Sequence, residues 1–450
     1  MKKYYDLRNE YKNFYYNGYS IDESDAFIDI SFDFSIDTFV RFNPKLSIDK
    51  KNFKILNSVN NITSQKIVFY MGMVELISYW KCVCPKNVII KADYLSPDEI
   101  LWWKKLYFYG LGEFFYVNGI KPDIENFMNI VCEAHEKPYH QEPFNICDDF
   151  KNIIPVGGGK DSSVSLELLS SFKNIPLIIN ARNASLYSAY KASYNRDDIL
   201  EISRVIDPNL LELNKKGFLN GHTPFSAMLG FTSLFCSYIL GITNIALSNE
   251  SSANESNIKG TNINHQYSKS FEFELDFSRY IKKYICDKIN YFSLLRPFSE
   301  IKIAEIFSRY PKYYDVFKSC NVGSKEDIWC GRCPKCLFVY IILLPFIDVS
   351  DMIKIFNKDM LDDIGLLKIF RGLVGLDDVK PFECVGTIEE VNFSLNLAYE
   401  KHYKNSKLPK LLDYYMKNYT GNRYLDSTAL TDFNENNIPE ELLSIVGDAK

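Results

Sequence analysis

The sequence predicts an α/β protein built on a doubly wound parallel sheet, with a mixed α+β domain before it and a helical region after it. Apolar and polar residues alternate over residues 1–60, which is typical of strands. From residue 152, short apolar runs alternate with helical stretches, which is the pattern of βαβ units. Helical periodicity dominates after Pro345. The expected units are an N-terminal domain, a central domain and a C-terminal region, spanning 1–145, 146–345 and 346–450.

The composition is that of a globular protein. Of 450 residues, 46% are hydrophobic and 24% are charged, and the formal net charge is −5. Extended disorder is excluded, and the acidic balance disfavours nucleic acid or an anionic membrane as a partner. No apolar stretch reaches the ~18 residues of a membrane span, because the best candidate, residues 337–347, is short and contains Pro345. The first residues lack the apolar segment of a signal peptide, so we expect a cytoplasmic protein.

The N-terminal domain is expected to contain two helices after its strands. Apolar residues recur at helical spacing from Gln65 to Tyr79. Ser96 followed by Pro97 has the form of a helix N-cap with proline at the first helical position. Residues 132–149 contain two prolines and many charges and are interpreted as a linker.

The central domain carries the βαβ pattern. Its expected strands are residues 153–156, 176–181, 210–213 and 245–247. The expected helices between them are residues 162–172, 197–205 and 224–240, the last with Thr223 as its N-cap. Ligands of open parallel sheets bind beyond the carboxyl ends of the strands. The loops that follow these strands are therefore the expected location of a site.

A glycine-rich loop joins the first of these strands to its helix. Its residues are Gly157, Gly158, Gly159, Lys160, Asp161, Ser162 and Ser163. Glycine permits positive φ angles and close approach of backbone N–H groups to a ligand. The positive end of the following helix points at the same place, which suits a phosphate. The loop is not a Walker A motif, because Asp161 stands where a Ser or Thr would bind magnesium.

Polar residues that follow two other strands should lie beside this loop. Asn180 and Arg182 follow the second strand, and Asn249 follows the fourth; all three are candidates for nucleotide binding. The chemically reactive residues nearby are Glu250, Glu255, His265 and Lys269. Each carries a group that can transfer a proton, and the sequence does not distinguish among them.

Four of the eleven cysteines form a cluster with the spacing C-x9-C-x2-C-x2-C. They are Cys320, Cys330, Cys333 and Cys336. Four thiolates can surround one Zn²⁺ tetrahedrally and leave no open position, so the expected role is structural. An iron–sulfur cluster is the alternative, because four cysteines also hold such clusters.

The motifs of the chain resemble those of two known families. The glycine loop resembles the SGGxDS pyrophosphate loop (PP-loop) of N-type ATP pyrophosphatases, which split ATP between its α and β phosphates, although Gly157 replaces the first serine. Over residues 65–345 the chain also resembles the family of UDP-N-acetyl-α-D-muramoyl-L-alanyl-L-glutamate epimerases. The motifs that carry this second resemblance, besides GGGKDS, are GMVELISYWK at 72–81, GLGEFF at 110–115, SNESSANE at 248–255, NHQYSKS at 264–270 and WCGRCPKC at 329–336.

The second resemblance implies an isomerase of peptidoglycan precursor biosynthesis. Such an enzyme inverts the terminal L-glutamate of UDP-MurNAc-L-Ala-L-Glu, consumes ATP with Mg²⁺, and releases AMP and diphosphate. Lys160 would then neutralise charge on the leaving pyrophosphate, Asp161 would position Mg²⁺, and N–H groups of Ser162 and Ser163 would hold phosphate oxygens. Arg182 and Arg296 are candidates for clamping a substrate carboxylate or diphosphate.

Two other function classes remain open at this point. The same loop with CxxCxxC occurs in 7-cyano-7-deazaguanine synthase, so a related ligase or an RNA-modifying enzyme with an adenylating core is one alternative. An RNA enzyme would need a basic surface with aromatic residues, which the net charge of −5 disfavours. A non-catalytic nucleotide sensor is the other alternative, and the intact Lys160-Asp161-Ser162 sequence argues against it.

Overall fold

A single mixed sheet of eleven strands organises the part of the protein that the structure describes. A computed structural model describes residues 2–136, 142–254, 267–422 and 435–449. The strands are β1 (Asn13–Glu23), β2 (Phe27–Ile36), β3 (Val40–Phe42), β4 (Lys45–Asp49), β5 (Asn87–Ile90), β6 (Asn129–Cys132), β7 (Asn152–Pro155), β8 (Asn174–Ile179), β9 (Leu200–Val205), β10 (Asn244–Leu247) and β11 (Asn290–Ser293).

The strand order divides the sheet into two halves. One half is parallel throughout, in the order β11-β10-β7-β8-β9. The other half is mixed: β4, β2 and β1 are antiparallel neighbours, and β5 and β6 run parallel to β1. The halves join where β4 pairs antiparallel with β9, with Leu46 opposite Arg204. The sheet is therefore continuous across residue 145, and the expected division into 1–145, 146–345 and 346–450 stays a prediction.

The helices lie on both faces of the parallel half and beyond it. They are α1 (Lys2–Glu10), α2 (Ile62–Trp80), α3 (Pro97–Gly110), α4 (Gly112–Val117), α5 (Lys160–Leu168), α6 (Asn183–Lys191), α7 (Pro208–Lys215), α8 (Phe225–Leu240), α9 (Phe271–Tyr284), α10 (Glu300–Ser308), α11 (Pro334–Leu343), α12 (Val349–Phe356), α13 (Leu367–Leu373), α14 (Ile388–Ala398), α15 (Lys410–Asn418) and α16 (Glu440–Asp448). No helix in these described ranges is both long and apolar enough to span a bilayer.

Two apolar cores form because the parallel strands are buried on both faces. Ile153 on β7 and Ile175 on β8 contribute to one core together with α2, α8 and α9. Ile154 on β7 and Ile178 on β8 contribute to the second core together with α5, α10 and α11. Burial on both faces is typical of parallel strands covered by helices. The structure thus confirms the α/β class and the parallel arrangement, and it shows that the whole sheet is mixed.

Local signals in the N-terminal part are confirmed. Strand β2 alternates buried residues with more exposed ones along its whole length, as a strand with one covered face does. Helix α3 begins at Pro97 with a complete capping box, in which the Ser96 side chain accepts from the backbone N–H of Glu99 and the Glu99 side chain accepts from that of Ser96. The helix expected from Gln65 to Tyr79 is α2.

Two expected elements of the central domain are wrong. Residues 197–205, expected to be helical, contain strand β9, because that segment pairs with both β8 and β4. Residues 210–213, expected to be a strand, lie in helix α7, where the Asp207 side chain caps the first turn and Pro208 opens the helix. The expected cap Thr223 is also wrong, because the residue before α8 is Pro224 and no side chain caps that helix.

Candidate active site

The glycine loop lies at the carboxyl end of β7, between neighbours β8 and β10. Strand order reverses at this point, which is where open α/β sheets bind ligands. Of the three glycines, only Gly158 has a positive φ, of 85°. A Cβ there would lie 2.6 Å from the carbonyl carbon of Ala184 and the backbone nitrogen of Ser185, so the loop packs directly on the start of α6. Gly157 is exposed and has open space around it.

The first turn of α5 presents backbone N–H groups at this loop. The hydroxyls of Ser162 and Ser163 both donate to the Gly159 carbonyl, at 3.2 and 3.0 Å. The N–H of Ser163 donates to the same carbonyl at 3.3 Å, so it is already used within the helix. The earlier N–H groups, at Lys160, Asp161 and Ser162, occupy the helix positions that lack an intrahelical acceptor. Those three are the groups available to an anion.

Lys160 is turned inward rather than toward solvent. Its side chain is 2% exposed, and its Nζ contacts the carboxylates of both Asp161 and Glu300. Burial opposes the charge of Lys160, but the two carboxylates outweigh it and raise the pKa of the ammonium above its usual value. Lys160 therefore draws two carboxylates together beneath the glycine loop.

The two carboxylates differ in environment. Burial would raise the pKa of Asp161, but Lys160 and Lys335 hold it below its usual value, so Asp161 stays ionised and half-exposed. Glu300 is buried, and burial raises the pKa of its carboxyl above the usual value. Its Oε2 contacts Lys160, whereas its buried Oε1 has no hydrogen-bond partner among the described residues. Buried oxygen atoms in proteins normally have a hydrogen-bond donor or an ion as a partner, so this oxygen is a candidate for binding one.

A second polar group borders the loop and includes Lys269. Its Nζ lies 3.3 Å from the Sγ of Cys384, a half-buried residue in the segment before α14. Burial opposes the charge of Lys269, but Cys384 and Glu250 outweigh it and raise the pKa of the ammonium. Lys335 Nζ donates to the carbonyl oxygen of Cys384. Two lysines thus contact Cys384 close to Asp161, Lys269 at the thiol and Lys335 at the backbone carbonyl.

Arg296 is a buried structural group and not a substrate clamp. It is 1% exposed, and its Nη2 lies 2.9 Å from the carboxylate of Glu274. The same guanidinium donates to the backbone carbonyls of Glu250 at 2.7 Å and Lys269 at 2.6 Å. All of these contacts are internal, so Arg296 positions two of the candidate residues from below.

Replacing Arg296 should therefore destabilise the protein strongly. We expect Arg296→Ala to lower the free energy of unfolding by about 3–5 kcal/mol, because the buried Glu274 carboxylate loses its cationic partner. Urea denaturation measures this change. Arg279→Ala is the matched control, since Arg279 is 75% exposed and pairs with Asp276 at the surface; it should change stability by less than about 1 kcal/mol. Equal losses in both variants would contradict the structural role of Arg296.

The other residues expected to bind the nucleotide lie around the loop and differ in their hydrogen bonds and exposure. Asn180, at φ 50°, bonds to the backbone of Arg204 on β9 through both side-chain atoms, so it shapes the turn after β8. Arg182 is exposed beside the loop and donates to the Ser324 carbonyl at 3.2 Å. Asn249 is half-buried at the end of β10. The expected catalytic residues Glu255 and His265 lie outside the described residues.

The four expected metal ligands come together. The sulfur atoms of Cys320, Cys330, Cys333 and Cys336 all lie within 4.8 Å of one another. Neighbouring sulfurs are separated by 3.4 to 3.8 Å. Tetrahedral Zn²⁺ with Zn–S bonds of about 2.3 Å places its sulfurs about 3.8 Å apart. The cluster is therefore compatible with one structural zinc ion, and a multi-iron cluster would need a wider space between the thiolates.

This cysteine cluster supports the glycine loop directly. The segment that leads into Cys320 crosses the loop, where the Lys318 N–H donates to the Gly158 carbonyl at 2.8 Å. A Cβ on Gly159 would lie 3.3 Å from the Cβ of Ser319. Between Cys320 and Cys330, the Asp327 side chain accepts from the backbone N–H of Asn183 at the start of α6. A metal at the cysteines would fix this segment against the loop.

Loss of one cysteine ligand should therefore reduce stability and metal content together. We expect Cys333→Ser to lose bound zinc. A loss of ~3 kcal/mol in the free energy of unfolding would lower the melting temperature of a 450-residue chain by about 3 °C. Elemental analysis and thermal unfolding of the same samples check this. Cys147→Ser, at a half-buried cysteine outside the cluster, should keep both values. Normal zinc content in Cys333→Ser would contradict the ligand assignment.

Comparison with known proteins decides the family. The family model described as the MurL N-terminal domain matches residues 6–294. The model described as the MurL C-terminal domain matches residues 316–421. The chain belongs to the MurL epimerase family. Its enzyme class is therefore isomerase, and the two matched segments include the glycine loop and the four cysteines respectively.

Curated MurL relatives cover most of the chain. A protein of Xanthomonas oryzae pv. oryzae is 32% identical over 339 residues, 74% of each chain. A protein of Salinispora tropica is 34% identical over 346 residues, 75% of this chain and 74% of its own. A third, from a Micromonospora species, is 33% identical over 347 residues, 75% and 76% of the two chains. Each is named UDP-N-acetyl-alpha-D-muramoyl-L-alanyl-L-glutamate epimerase. No solved structure matches the chain.

Several polar residues at the site of this MurL family member were not predicted from its sequence. Glu300 and Cys384 lie far along the chain from the loop, and no local pattern marks them. A third group borders Lys269: Lys81 donates to the Gly221 carbonyl at 2.5 Å, and the Nδ1 of His222 lies 4.0 Å from a carboxylate oxygen of Glu113. Burial lowers the pKa of Lys81 to about 8 and that of His222 to about 4. Lys81 and Glu113 belong to the motifs at 72–81 and 110–115. Those two motifs were the sequence features that could have indicated this group.

Proposed function

We propose that this protein inverts the terminal L-glutamate of UDP-MurNAc-L-Ala-L-Glu to D-glutamate by adenylating its α-carboxylate with ATP. AMP and diphosphate are the by-products, and the inverted dipeptide serves peptidoglycan precursor synthesis. The observation that carries the proposal is the pair of carboxylates, Asp161 and Glu300, held by Lys160 beneath a glycine loop at the reversal of strand order. Membership of the MurL family supports the epimerase part of this proposal.

Adenylation makes chemical sense for this inversion. A free α-carboxylate opposes loss of the α-proton, because a second negative charge would develop on the adjacent carbon. Attack of the carboxylate on the α-phosphorus of ATP releases pyrophosphate and leaves a neutral, electron-withdrawing acyl group. The α-proton is then acidic enough for a side-chain base. Hydrolysis of the acyl adenylate after inversion gives AMP and makes the cycle run forward.

The glycine loop is suited to the leaving pyrophosphate. The N–H groups of Lys160, Asp161 and Ser162 belong to the first turn of α5, where the helix supplies no acceptor, and the helix dipole adds positive potential there. The parallel order β9-β8-β7-β10-β11 places the loop at the reversal of strand order, and this supports assigning residues 146–345 to the PP-loop ATP pyrophosphatase type. Arg182, exposed beside the loop, would pair with phosphate oxygens.

The acidic pair fits a magnesium ion. Asp161 and Glu300 both reach the ammonium of Lys160, so their oxygens lie close together. The Oε1 of Glu300 is buried with no partner among the described residues, and carboxylate oxygens are the protein ligands that Mg²⁺ prefers. Bound there, Mg²⁺ would neutralise charge on the phosphates of ATP. Lys160 would keep the carboxylates in place and would not itself reach the pyrophosphate.

Lys269 is assigned to anion binding and not to proton abstraction. Its pKa is raised, so at neutral pH the side chain is an ammonium without a free electron pair. It is half-buried close to Asp161. An ammonium in this position would attract a substrate carboxylate or the phosphate of the acyl adenylate.

Transfer of oxygen from substrate to AMP tests the adenylation step. The protein is incubated with ATP, Mg²⁺ and UDP-MurNAc-L-Ala-L-Glu that carries ¹⁸O in the glutamate α-carboxylate. We expect AMP to acquire one ¹⁸O atom, because the carboxylate oxygen bonded to phosphorus leaves with AMP when water attacks the acyl carbon. Unlabelled AMP, together with no substrate-dependent exchange of pyrophosphate into ATP, would contradict carboxylate adenylation.

A further inference from the structure

A thiol faces a permanent cation beside the proposed adenylation site. The Sγ of Cys384 lies 3.3 Å from the Nζ of Lys269, which is within hydrogen-bonding distance for sulfur. Cys384 belongs to the C-terminal region, whereas Lys269 lies two residues before α9 in the central region. Two parts of the chain separated by 115 residues therefore meet at one pair of reactive atoms.

The segment that carries Cys384 is fixed from several sides. Lys335, between two of the zinc ligands, donates to the carbonyl oxygen of Cys384. The Asn321 side chain donates to the carboxylate of Glu383. The ring of Phe382 lies 5.1 Å from that of Tyr116 on α4. These contacts hold the thiol at a defined place, which is a requirement for a group that transfers a proton.

Two other charged groups near this thiol, Lys269 and Asp161, are less suited to the task. Lys269 is a permanent ammonium, because its pKa is raised. Asp161 stays ionised, but it is a weak base because Lys160 and Lys335 hold its pKa low, and it is assigned to the metal. The Nζ of Lys269 can donate a hydrogen bond to the sulfur of Cys384 at 3.3 Å, and the thiolate is the form of a cysteine that accepts a proton. The ordinary acidity of thiols also lies closer to neutrality than that of carboxyls or lysines.

We propose that Cys384 is the acid/base residue for one face of the glutamate α-carbon and that Lys269 is its positioning cation. This inference rests on the proposed function and names the group that moves the α-proton. In one direction the thiolate takes the α-proton: the C–H bond breaks, an S–H bond forms, and the electron pair enters the enolate of the acyl adenylate. A second acid then donates a proton to the opposite face. In the reverse direction Cys384 is the donor.

Cys384→Ala and Cys384→Ser test this role because adenylation and inversion are measured separately. Adenylation is followed as substrate-dependent exchange of labelled pyrophosphate into ATP. Inversion is followed as D-glutamate product. We expect both variants to keep pyrophosphate exchange and to lose inversion by roughly 10²–10⁴-fold. Serine preserves the size of the side chain but is a far weaker acid, so its failure separates chemistry from packing. Cys147→Ala, at a half-buried thiol away from the site, is the matched control and should retain both activities.

Solvent exchange shows which face Cys384 serves. Cys384→Ala is incubated in D₂O with ATP and Mg²⁺, and with either the L-glutamyl or the D-glutamyl substrate. We expect α-deuterium to enter only one of the two substrates without inversion, because the remaining base still works on its own face.

Wild-type rates of inversion, or exchange from both substrates, would overturn the proposal. Equal losses of pyrophosphate exchange and inversion would also overturn it, since Cys384 would then act in adenylation or folding. Failure of the wild-type protein to adenylate would instead contradict the proposed function.

Discussion

Asp161→Asn should abolish formation of AMP and pyrophosphate while the protein remains folded. We expect the rate to fall by roughly 10²–10³-fold or more, as it does when one group that stabilises developing charge is removed. The amide keeps the shape of the side chain but loses the charge that would hold Mg²⁺. Folding should be spared, because Lys160 keeps its contact with the buried carboxylate of Glu300.

Chromatography of the nucleotides and thermal unfolding measure the two effects in the same preparation. The matched control is Asp315→Asn, because Asp315 is 66% exposed and pairs with Lys191 at the surface. This control should keep full activity and stability. AMP formation at the wild-type rate by Asp161→Asn would remove the acidic pair from the mechanism, and a collapse of stability would assign Asp161 to folding instead.

Gly158→Ala should disrupt the loop more severely than any other single methyl addition there. The residue has a φ of 85°, which costs a residue with a side chain about 1–2 kcal/mol. The added Cβ would also lie 2.6 Å from backbone atoms of Ala184 and Ser185, and backbone at the start of a helix cannot move aside easily. We expect AMP formation to be lost and the free energy of unfolding to fall by about 1–3 kcal/mol.

Gly157→Ala is the matched control for this prediction. Gly157 precedes Gly158 in the same loop, but its φ is not positive and its Cβ would meet nothing within 4 Å. It should fold normally and keep measurable AMP formation. Pyrophosphate exchange and urea denaturation of the two variants check the contrast. Equal behaviour of the two variants would show that the contact with α6 does not shape the loop.

Local patterns predicted those parts of the fold whose cause is itself local. The N-cap at Ser96, the alternation along β2 and the glycine loop between β7 and α5 each depend on neighbours in the chain, so the sequence predicted them. Residues 197–205 became β9 because β4, some 150 residues earlier, pairs with them. A short apolar run such as 210–213 fits a strand or a helix equally, and the cap at Asp207 decided it.

In the candidate site, too, the sequence predicted the local motifs but not the contacts between distant parts of the chain. The four cysteines converge as their spacing predicted. Glu300 reaches Lys160 across 140 residues, and Cys384 reaches Lys269 across 115; neither contact leaves a pattern in the sequence. The inward turn of Lys160 also depends on Glu300, so the lysine's expected role toward pyrophosphate could not be judged without the fold.

Incubation in D₂O with ATP, Mg²⁺ and UDP-MurNAc-L-Ala-L-Glu tests the central claim most directly. AMP is measured by chromatography, and the glutamate α-carbon is analysed for configuration and deuterium. We predict D-glutamate product that carries deuterium at the α-carbon, formed only when ATP is present and accompanied by AMP. Inverted product without ATP, or AMP formation with the glutamate left in the L configuration and free of deuterium, would contradict inversion through an acyl adenylate.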